Sequence, residues 1–244
     1  KISSVIIRRI MDKLLPDNVE IYWIKNMWDR EVFEQGVLGP KFKHKRELLL
    51  QVIKKFKPEN ILILCCGVGL ETSDIKKLLF LRRIVCVDIN PSSCEKTRQR
   101  VGNSNIVTIL NKNVYDIDFV QAFDAVVCMD ALHHLGRQDI LLSKINKAIK
   151  KDGVFIGDYF GKEKFIPWQI HRHGLIKYWL INSKHHISNL LLKFNILPNR
   201  LVEAGWMRTF LYTKEQIINK LQEHKYKILE LISDEWHFFV AQKI

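Results

Sequence analysis

The sequence contains no apolar run approaching the ~20 residues that a helix needs to span a bilayer. It also lacks internal repeats and low-complexity segments, and its 47% hydrophobic and 27% charged residues are those of an ordinary globular protein. These properties exclude a helical membrane protein, a collagen-like chain and a disordered chain. With 244 residues, the chain is long enough for one substantial α/β domain and at most a small appendage.

Metal-binding patterns are missing as well. The five cysteines fall between residues 61 and 128, mostly in apolar runs and at spacings that match no zinc-ligand pattern. They are predicted to be buried thiols of a reducing compartment, which favours a cytoplasmic location. Four of the nine histidines fall between residues 171 and 186, but no cysteine or carboxylate cluster accompanies them, so we predict no metal site.

Two segments concentrate the positive charge. The net charge is +13. Residues 1–60 carry 13 basic and 8 acidic side chains, and residues 161–200 carry seven basic side chains and one acidic side chain. Residues 1–44 are predicted to be a helical segment that contributes to a lid, since residues 2–14 are apolar at helical spacing and no signal-peptide cleavage site follows. Any anionic partner is expected to meet these basic flanks.

From residue 61 onward, short apolar strands alternate with helical segments, which is typical of a parallel sheet wrapped by helices. A helix over 45–56 precedes them, and Thr213 with Gln216 predicts a capping box before a helix over 214–223. Residues 161–205 interrupt the rhythm and are predicted to be a helical cap. The predicted strands cover residues 61–65, 84–87, 106–109, 125–129, 154–160, 226–233 and 236–242.

The strongest local signal is ILILCCGVGLET, residues 61–72, where a strand runs through Gly67 and Gly69 into a helix. Small residues at such a turn allow close approach of a ligand to free backbone N–H groups. Asp88 follows at the end of the second strand, where a carboxylate can accept hydrogen bonds from both hydroxyls of a ribose. The pair predicts an adenosine-containing cofactor; the alternative is a tight turn and an ordinary surface aspartate. A dinucleotide pattern would need a third glycine at Thr72.

At this point the sequence resembles the class I S-adenosylmethionine-dependent methyltransferases, over roughly residues 45–160. The matching segments are ILILCCGVGLET, VCVDIN, NKNVYDIDF, FDAVVCMDALHHL and NKAIKKDGVFIGDYF. The resemblance implies an α/β, Rossmann-like, seven-stranded and mostly parallel sheet with helices on both faces. It assigns this domain to residues 45–244, with the cap at 161–205 inserted after the fifth strand, and S-adenosyl-L-methionine as the cofactor.

The resemblance also implies the cofactor-binding residues. Gly67 and Gly69 would lie against the methionine part of the cofactor, and Asp88 would bind the ribose hydroxyls. The other implied residues are Ile89, Asn113 and Val114 around the adenine, Cys65 in the glycine loop, and Met129 and Asp130 near the methionine part.

Two positions depart from the pattern of this family. Ile63 stands where the family usually has a carboxylate, which predicts weak cofactor binding or replacement of that carboxylate by Glu71 or Asp130. Cys65 stands where the family has its first glycine, and its small side chain fits provided that the residue keeps a negative φ.

Four residues are candidates for catalysis. His133 and His134 follow the fourth strand, and either can act as a general base for a hydroxyl; the alternative is a role in packing and helix capping. Asp158 and Tyr159, at the end of the fifth strand, are expected to face the same crevice and to orient an acceptor.

The cap supplies the candidate acceptor pocket, lined by Trp168, His171, His173 and Tyr178. The alternative is a helical lid whose aromatic residues are core. We expect the cap to close over an acceptor that carries an anionic or strongly polar group. That group would meet some of the basic residues Lys162, Lys164, Arg172, Lys177 and Lys184.

The predicted activity is methyl transfer from S-adenosylmethionine to an O, N or C nucleophile of a small molecule. One alternative is RNA or protein methylation using the basic flanks, although the fourth strand ends in MDALHH and lacks the N/D-P-P-Y/F motif of amino-group nucleic-acid methylases. A second is a catalytically silent, methyltransferase-like binding protein, which Ile63 favours. A third is an NAD-linked oxidoreductase.

Overall fold

The computed structural model describes residues 39–161, 211–233 and 236–244, together with single residues at 24, 29, 31, 35, 174–176, 179, 180, 183 and 187. The helix predicted near residue 1 lies outside these residues, and so does most of the cap.

One seven-stranded sheet forms the centre of the described part of the chain, in the order β3-β2-β1-β4-β5-β7-β6. Strands β1 to β5 pair in parallel, and β7 runs antiparallel to both β5 and β6. This topology confirms the predicted Rossmann-like fold. The strands are β1 (Asn60–Leu64), β2 (Arg83–Asp88), β3 (Val107–Asn111), β4 (Phe123–Cys128), β5 (Ile149–Phe160), β6 (Tyr226–Ser233) and β7 (Trp236–Lys243).

Helices cover both faces of this sheet. Successive residues of β1 alternate between two apolar clusters, with Leu62 and Leu64 in one and Ile61 and Ile63 in the other. The first cluster includes apolar residues of α4 and α5, and the second includes those of α1 and α2. The helices are α1 (Gly39–Phe56), α2 (Leu70–Ile75), α3 (Pro91–Val101), α4 (Gln138–Ala148) and α5 (Lys214–Glu223), with short 3-10 helices at Val114–Asp116 and Leu132–His134.

Local signals explain several of these boundaries. Pro91 opens α3, and the side chain of Asn90 accepts a hydrogen bond from the Ser93 amide at 2.9 Å. The predicted capping box of Thr213 and Gln216 opens α5. α1 begins six residues before its predicted start, at Gly39, and therefore crosses the expected domain boundary between residues 44 and 45. α2 ends at Ile75, where the chain tightens into i→i+3 hydrogen bonds.

The topology indicates where a ligand would bind. Strand β1 lies between β2 and β4, so the strand order reverses at β1, and the carboxyl ends of these strands meet at one edge. Open α/β sheets bind ligands in the crevice at such a switch point. Among the described residues, no helix is both long and apolar enough to cross a membrane. All five cysteines are free thiols and four of them are buried, as predicted.

Candidate active site

The turn after β1 is built from three residues with positive φ. Gly67 has φ of 54° and Gly69 has φ of 77°. Cys65 has φ of 53°, so the condition that it keep a negative φ is not met. A left-handed conformation costs a non-glycine residue about 1–2 kcal/mol, which explains why glycine suits this position.

Helix α3 holds this turn from behind. The hydroxyl of Thr97 donates to the Gly67 carbonyl at 2.8 Å, and Nε of Arg100 donates to the Val68 carbonyl at 2.8 Å. A Cβ added to Gly69 would lie 2.7 Å from Cγ2 of Thr97, so the turn and the helix approach each other as closely as a glycine allows. The turn is therefore a rigid platform at the carboxyl end of β1.

Asp88 at the end of β2 anchors the same turn from the side. Its Oδ2 accepts a hydrogen bond from the Gly67 amide at 2.8 Å, and its Oδ1 accepts one from the Asn90 amide at 2.9 Å. Burial raises the pKa of Asp88, and the bonds from Asn90 and Gly67 oppose that rise. Because a carboxylate offers about four acceptor sites, capacity remains for the two hydroxyls of a ribose. The side chain is thus suited to the predicted task.

Strand β3 supports the neighbouring region where the adenine is expected. It extends two residues beyond its predicted end, and Nδ2 of Asn111 donates to the carbonyls of Asp88 at 3.0 Å and Ile89 at 2.9 Å. Asn113 caps the following 3-10 helix by accepting from the Tyr115 amide at 3.1 Å. Val114 is buried and Ile89 is half-buried beside this edge. The adenine contacts of these residues stay predictions.

A buried charged cluster, consisting of Lys45, Asp130 and Asp158, lies across the switch point. Lys45 reaches it from α1 and forms ion pairs with both carboxylates. Asp130 follows β4 with φ of 52°, and its backbone amide donates to Oδ1 of Asp158 at 2.6 Å. Asp158 is fully buried in β5, and the Lys45 side chain is 5% exposed. Helix α1 and strands β4 and β5, which are far apart in the sequence, therefore meet in this cluster.

Aromatic rings surround this charged cluster. Nζ of Lys45 lies 4.6 Å from the centre of the Trp236 ring and 5.8 Å from that of Phe42. Trp236, at the start of β7, also lies 5.8 Å from the ring centre of Phe160. A cation held against aromatic rings away from water interacts more strongly with its neighbours than it would in solution.

Burial changes the protonation chemistry of Asp158. It raises the pKa of this carboxyl to about 6; the charge of Lys45 opposes the rise and the charge of Asp130 adds to it. At neutral pH the group is mostly ionised, and a carboxylate of this pKa is a better proton acceptor than an ordinary aspartate. Perturbed carboxyls of this kind cluster at functional sites.

The two candidate histidines differ in their surroundings. His133 is 2% exposed, and its ring centre lies 4.1 Å from those of both Phe160 and His134, which favours packing. His134 is half-buried. Burial lowers the pKa of His133 well below its usual value and that of His134 to about 4, so both rings are neutral at pH 7. A neutral imidazole retains one nitrogen that accepts a proton.

Asp158 and Tyr159 do not face the same crevice. Both lie inside β5, which runs to Phe160, and successive residues of a strand point to opposite faces. The Tyr159 ring packs in the apolar core against Phe239, at 5.9 Å between centres, and its hydroxyl donates to Oε1 of Gln138 at 2.9 Å. These contacts favour a structural role for Tyr159 and leave Asp158 as the acceptor-side candidate.

The predicted acceptor pocket of Trp168, His171, His173 and Tyr178 lies outside the described residues, as do the basic residues assigned to an anionic acceptor group. Within the described part, no three His, Cys, Asp or Glu side chains come together in a way that would hold a metal ion.

Sequence reasoning missed Lys45 and Trp236. Lys45 shares the buried face of α1 with Phe42 and Leu49, at the i−3 and i+4 positions. A lysine on an apolar helical stripe is unusual unless its charge is paired, and this signal could have identified it. No comparable signal marks Trp236, since a tryptophan at the start of a strand is ordinary.

Comparisons with known proteins agree with this geometry. Residues 62–157 match the family described as methyltransferase domain. The chain is 32% identical over 82 residues to the type II methyltransferase M.CvrRI of Paramecium bursaria Chlorella virus XZ-6E, a match that covers 34% of this chain. It spans only about a fifth (21%) of the length of that relative.

Solved methyltransferase structures share the fold. The N-methyltransferase NodS from Bradyrhizobium japonicum WM9 has a TM-score of 0.56 at 13% identity, over 84% of this chain and 97% of NodS. The 1,6-didemethyltoxoflavin-N1-methyltransferase from Burkholderia thailandensis, with S-adenosylhomocysteine bound, has a TM-score of 0.52 at 15% identity, over 75% of this chain and 70% of its own. The strand order, the glycine turn and the Asp88 carboxylate agree with the match of residues 62–157 to the methyltransferase domain family, so this part of the chain is similar to the class I S-adenosylmethionine-dependent methyltransferases.

Proposed function

We propose that this protein transfers a methyl group from S-adenosylmethionine to a nucleophilic atom of a small molecule. The observation that carries the proposal is the position of the charged cluster at the carboxyl ends of β4 and β5, beside the Asp88 carboxylate and glycine turn at β2 and β1. Asp88 and the glycine turn suit an adenosine-containing cofactor, and the charged cluster suits proton transfer from an acceptor. NodS and the toxoflavin enzyme, both named as N-methyltransferases, show that relatives of this fold act on nitrogen.

The residues present fit the cofactor. Asp88 would accept hydrogen bonds from the ribose hydroxyls, and Gly67 and Gly69 would let the methionine part approach the backbone. Ile89 and Val114 would contact the adenine. When bound, the cofactor supplies an electrophilic methyl group on a sulfonium, so orientation and exclusion of water provide most of the remaining acceleration, worth about 7–11 kcal/mol in well-oriented reactions.

Ile63 cannot replace the missing carboxylate of the family pattern. Its side chain is 3% exposed and belongs to the apolar cluster beneath α1 and α2. Asp130 carries a carboxylate at the end of the adjacent strand β4, and Glu71 is buried in the first turn of α2. We infer that Asp130 takes over the task of binding the cofactor's ammonium group, because it lies at the switch point.

Asp158 is the residue that would accept the acceptor's proton. Its carboxyl is mostly ionised at neutral pH, since burial raises its pKa only to about 6. Lys45 holds the carboxylate in one orientation and prevents two buried negative charges from standing next to each other uncompensated. The N–H or O–H proton of the acceptor would pass to Asp158 as the acceptor's nitrogen or oxygen bonds to the methyl group and the sulfur–methyl bond breaks, with S-adenosylhomocysteine as the leaving group. His134 is the alternative base.

The N-terminal segment contributes to this site in the proposal. Lys45 lies on α1, directly after the segment of residues 1–44. Described residues of that segment contact α3 behind the glycine turn: the Asn90 side chain donates to the Ile24 carbonyl at 3.1 Å, and Lys96 pairs with Asp29 at 2.8 Å. These contacts favour a lid made partly of residues 1–44, while closure of the cap of residues 161–205 over the acceptor stays a prediction.

A catalytically silent binding protein is the second candidate, and two observations favour it. Ile63 removes a carboxylate, and Cys65 places a strained residue in the glycine turn. Both changes would weaken cofactor binding.

One experiment separates these functions. The full chain is first titrated calorimetrically with S-adenosylhomocysteine and with NAD. It is then incubated with S-adenosylmethionine labelled on the methyl group and a cell extract, which is separated into small-molecule, RNA and protein fractions. Enzyme-dependent label in the small-molecule fraction supports the proposal. Label in RNA or protein would overturn the acceptor class, and binding without any transfer would favour the silent protein.

A further inference from the structure

Two pairs of cysteine thiols meet at the turn that follows β1, beside the glycines of the candidate site. Strand β1 lies between β2 and β4. The thiol of Cys65 is hydrogen-bonded to that of Cys128, the last residue of β4. The thiol of the next residue, Cys66, is hydrogen-bonded to that of Cys86 in β2. Four of the five cysteines are therefore arranged in two pairs.

The backbone of Cys65 directs its side chain toward Cys128. The side chains of β1 alternate, with Leu64 in one apolar cluster and Ile63 in the other. Continued alternation would place Cys65 on the same face of the sheet as Ile63. With its φ of 53°, Cys65 instead packs against the cluster that contains Leu64 and Cys128. The left-handed conformation of Cys65 thus brings the two thiols to the same face.

The strand register gives this pair a spacing that suits a disulfide bond. Ile63 of β1 lies opposite Val127 of β4, so Cys128 is one residue beyond this pair and Cys65 is two residues beyond it. In a parallel sheet, an offset of one residue between neighbouring strands corresponds to roughly 6 Å between Cα atoms. Disulfides usually join Cα atoms that are about 4.4–6.8 Å apart.

Exposure distinguishes Cys65 from the other cysteines. Cys65 is half-buried, whereas the other four are buried. The hydrogen bond between the two thiols and burial raise the pKa of Cys128 well above its usual value. Because oxidation requires both access and thiolate character, an oxidant in solution reacts first at Cys65.

We propose that Cys65 and Cys128 form an oxidative modification site, at which hydrogen peroxide closes a disulfide bond beside the glycine turn. The Cys65 sulfur attacks the peroxide: a sulfur–oxygen bond forms, the oxygen–oxygen bond breaks, and a sulfenic acid and water result. The Cys128 sulfur then attacks the sulfenic acid: the sulfur–sulfur bond forms, the sulfur–oxygen bond breaks, and the departing hydroxide takes up the thiol proton as a second water. In total, two thiols lose two electrons and two protons, and one peroxide is reduced to two waters.

The disulfide weakens cofactor binding, a consequence that rests on the proposed function. An S–S bond is about 2.05 Å long, much shorter than a contact between two thiols, so Cys65 must move toward β4. Gly67 lies two residues further on, and its amide donates at 2.8 Å to Asp88 of β2, on the opposite side of β1. Movement toward β4 therefore draws Gly67 away from the carboxylate that is proposed to bind the ribose.

Peroxide treatment of the full chain tests the proposal. The reduced protein is treated with hydrogen peroxide and digested without reductant, and mass spectrometry with fragmentation between Cys65 and Cys66 locates the bridge. We expect peptides linked from Cys65 to Cys128 that have lost two hydrogen atoms. In calorimetric titration, the oxidised protein should bind S-adenosylhomocysteine about tenfold or more weakly than the reduced protein, and dithiothreitol should restore the affinity.

Cys66→Ala is the matched control, because Cys66 is adjacent but pairs with the other strand, so peroxide should still close the bridge in this variant. In Cys128→Ala, oxidation should stop at a sulfenic acid on Cys65 that dimedone traps. Circular dichroism before oxidation shows that both variants fold, and the peptides of the wild type decide the question if they do not.

Absence of the linked peptides from the wild type, or a bridge between Cys66 and Cys86 instead, would overturn the proposed site. A bridge from Cys65 to Cys128 that leaves the affinity for S-adenosylhomocysteine unchanged would overturn its effect on the cofactor. If the reduced protein does not bind S-adenosylhomocysteine at all, the proposed function fails, whereas the linked peptides would still support the modification site.

Discussion

The ammonium group of Lys45, on helix α1, lies 4.6 Å from the centre of the Trp236 ring, at the start of strand β7. Between them, Asp130 and Asp158 supply two carboxylates to one lysine. Removing one member of a buried ionic group is costly because the other charges stay buried without compensation. The cluster therefore makes both the stability and the chemistry of the site sensitive to single substitutions.

Lys45→Met should lower the free energy of unfolding by about 3–5 kcal/mol, because two buried carboxylates lose their counter-charge while the side chain keeps its length. Urea denaturation measures the change. Lys55→Met is the matched control: Lys55 lies on the same helix and pairs with Glu230, but its side chain is 62% exposed, so we expect a loss of at most about 1 kcal/mol. Equal losses in the two variants would contradict a special role for the cluster.

The proposed role of Asp158 predicts a pH dependence of turnover. Because its pKa is raised to about 6, the base form disappears as the pH falls through that value, and kcat should fall with it. Asp158→Asn should lower kcat about 10²-fold or more and abolish this acidic limb, while the affinity for S-adenosylhomocysteine stays close to that of the wild type. His134→Gln should still show the fall of kcat at low pH. If this fall survives in Asp158→Asn but vanishes in His134→Gln, the histidine is the base.

The cofactor half of the site could be predicted from sequence because its signals are local. A strand, a turn with two glycines and a helix follow one another within residues 60–75, and Asp88 ends the next strand. Parallel strands place their carboxyl ends at one edge, so these residues must meet. The parallel sheet with helices on both faces followed from the same rhythm, since apolar runs without alternation indicate strands that are buried on both sides.

The charged cluster could not be predicted in this way. Its members come from α1, β4 and β5, and no spacing in the sequence relates them. The orientation of Asp158 and Tyr159 also depended on whether β5 ends before or after them, and a shift of one residue exchanges the faces. Pairing of β5 with β7 as far as Phe160 and Trp236 decides this point, and that pairing is non-local.

Asp88→Asn should weaken binding of S-adenosylhomocysteine by about 1.5–3 kcal/mol for each ribose hydrogen bond lost, as measured by calorimetric titration. The change removes the negative charge but keeps the size of the side chain. Asp124→Asn is the matched control: Asp124 likewise holds a backbone amide, that of Asn60 at 2.7 Å, but at the opposite end of β1. Equal affinity in the wild type and Asp88→Asn, or tighter binding of NAD than of S-adenosylhomocysteine, would refute the cofactor-binding role.

Gly69→Ala should weaken the cofactor site more than strain alone would. The added Cβ would lie 2.7 Å from Cγ2 of Thr97 and 3.1 Å from its Cα, so α3 must move away from the turn. Gly102→Ala provides the comparison, because Gly102 also has positive φ, 59°, but has nothing within 4 Å of an added Cβ. We expect Gly102→Ala to cost about 1–3 kcal/mol of stability, because its φ of 59° and ψ of −161° are a conformation that glycine almost alone adopts, and to leave cofactor affinity unchanged. If both variants bind S-adenosylhomocysteine equally well, contact between turn and helix does not shape the site.

His134 should make the folded protein less stable in mild acid. Its pKa is lowered to about 4 by burial, whereas an unfolded histidine titrates near ~6.5. The unfolded state therefore binds more protons below ~6.5, and stability falls as the pH drops through that window. Asp158 acts in the opposite direction, because its raised pKa makes the folded state bind more protons between ~4 and about 6. Comparison of His134→Gln with the wild type isolates the contribution of the histidine. Between pH 7 and pH 5, the free energy of unfolding measured with urea should fall by about 1–2 kcal/mol less in His134→Gln than in the wild type. His44→Gln, on the exposed side of α1, should behave like the wild type. If His134→Gln and the wild type lose the same stability over this range, the imidazole gains no proton on unfolding and is not held neutral by its surroundings.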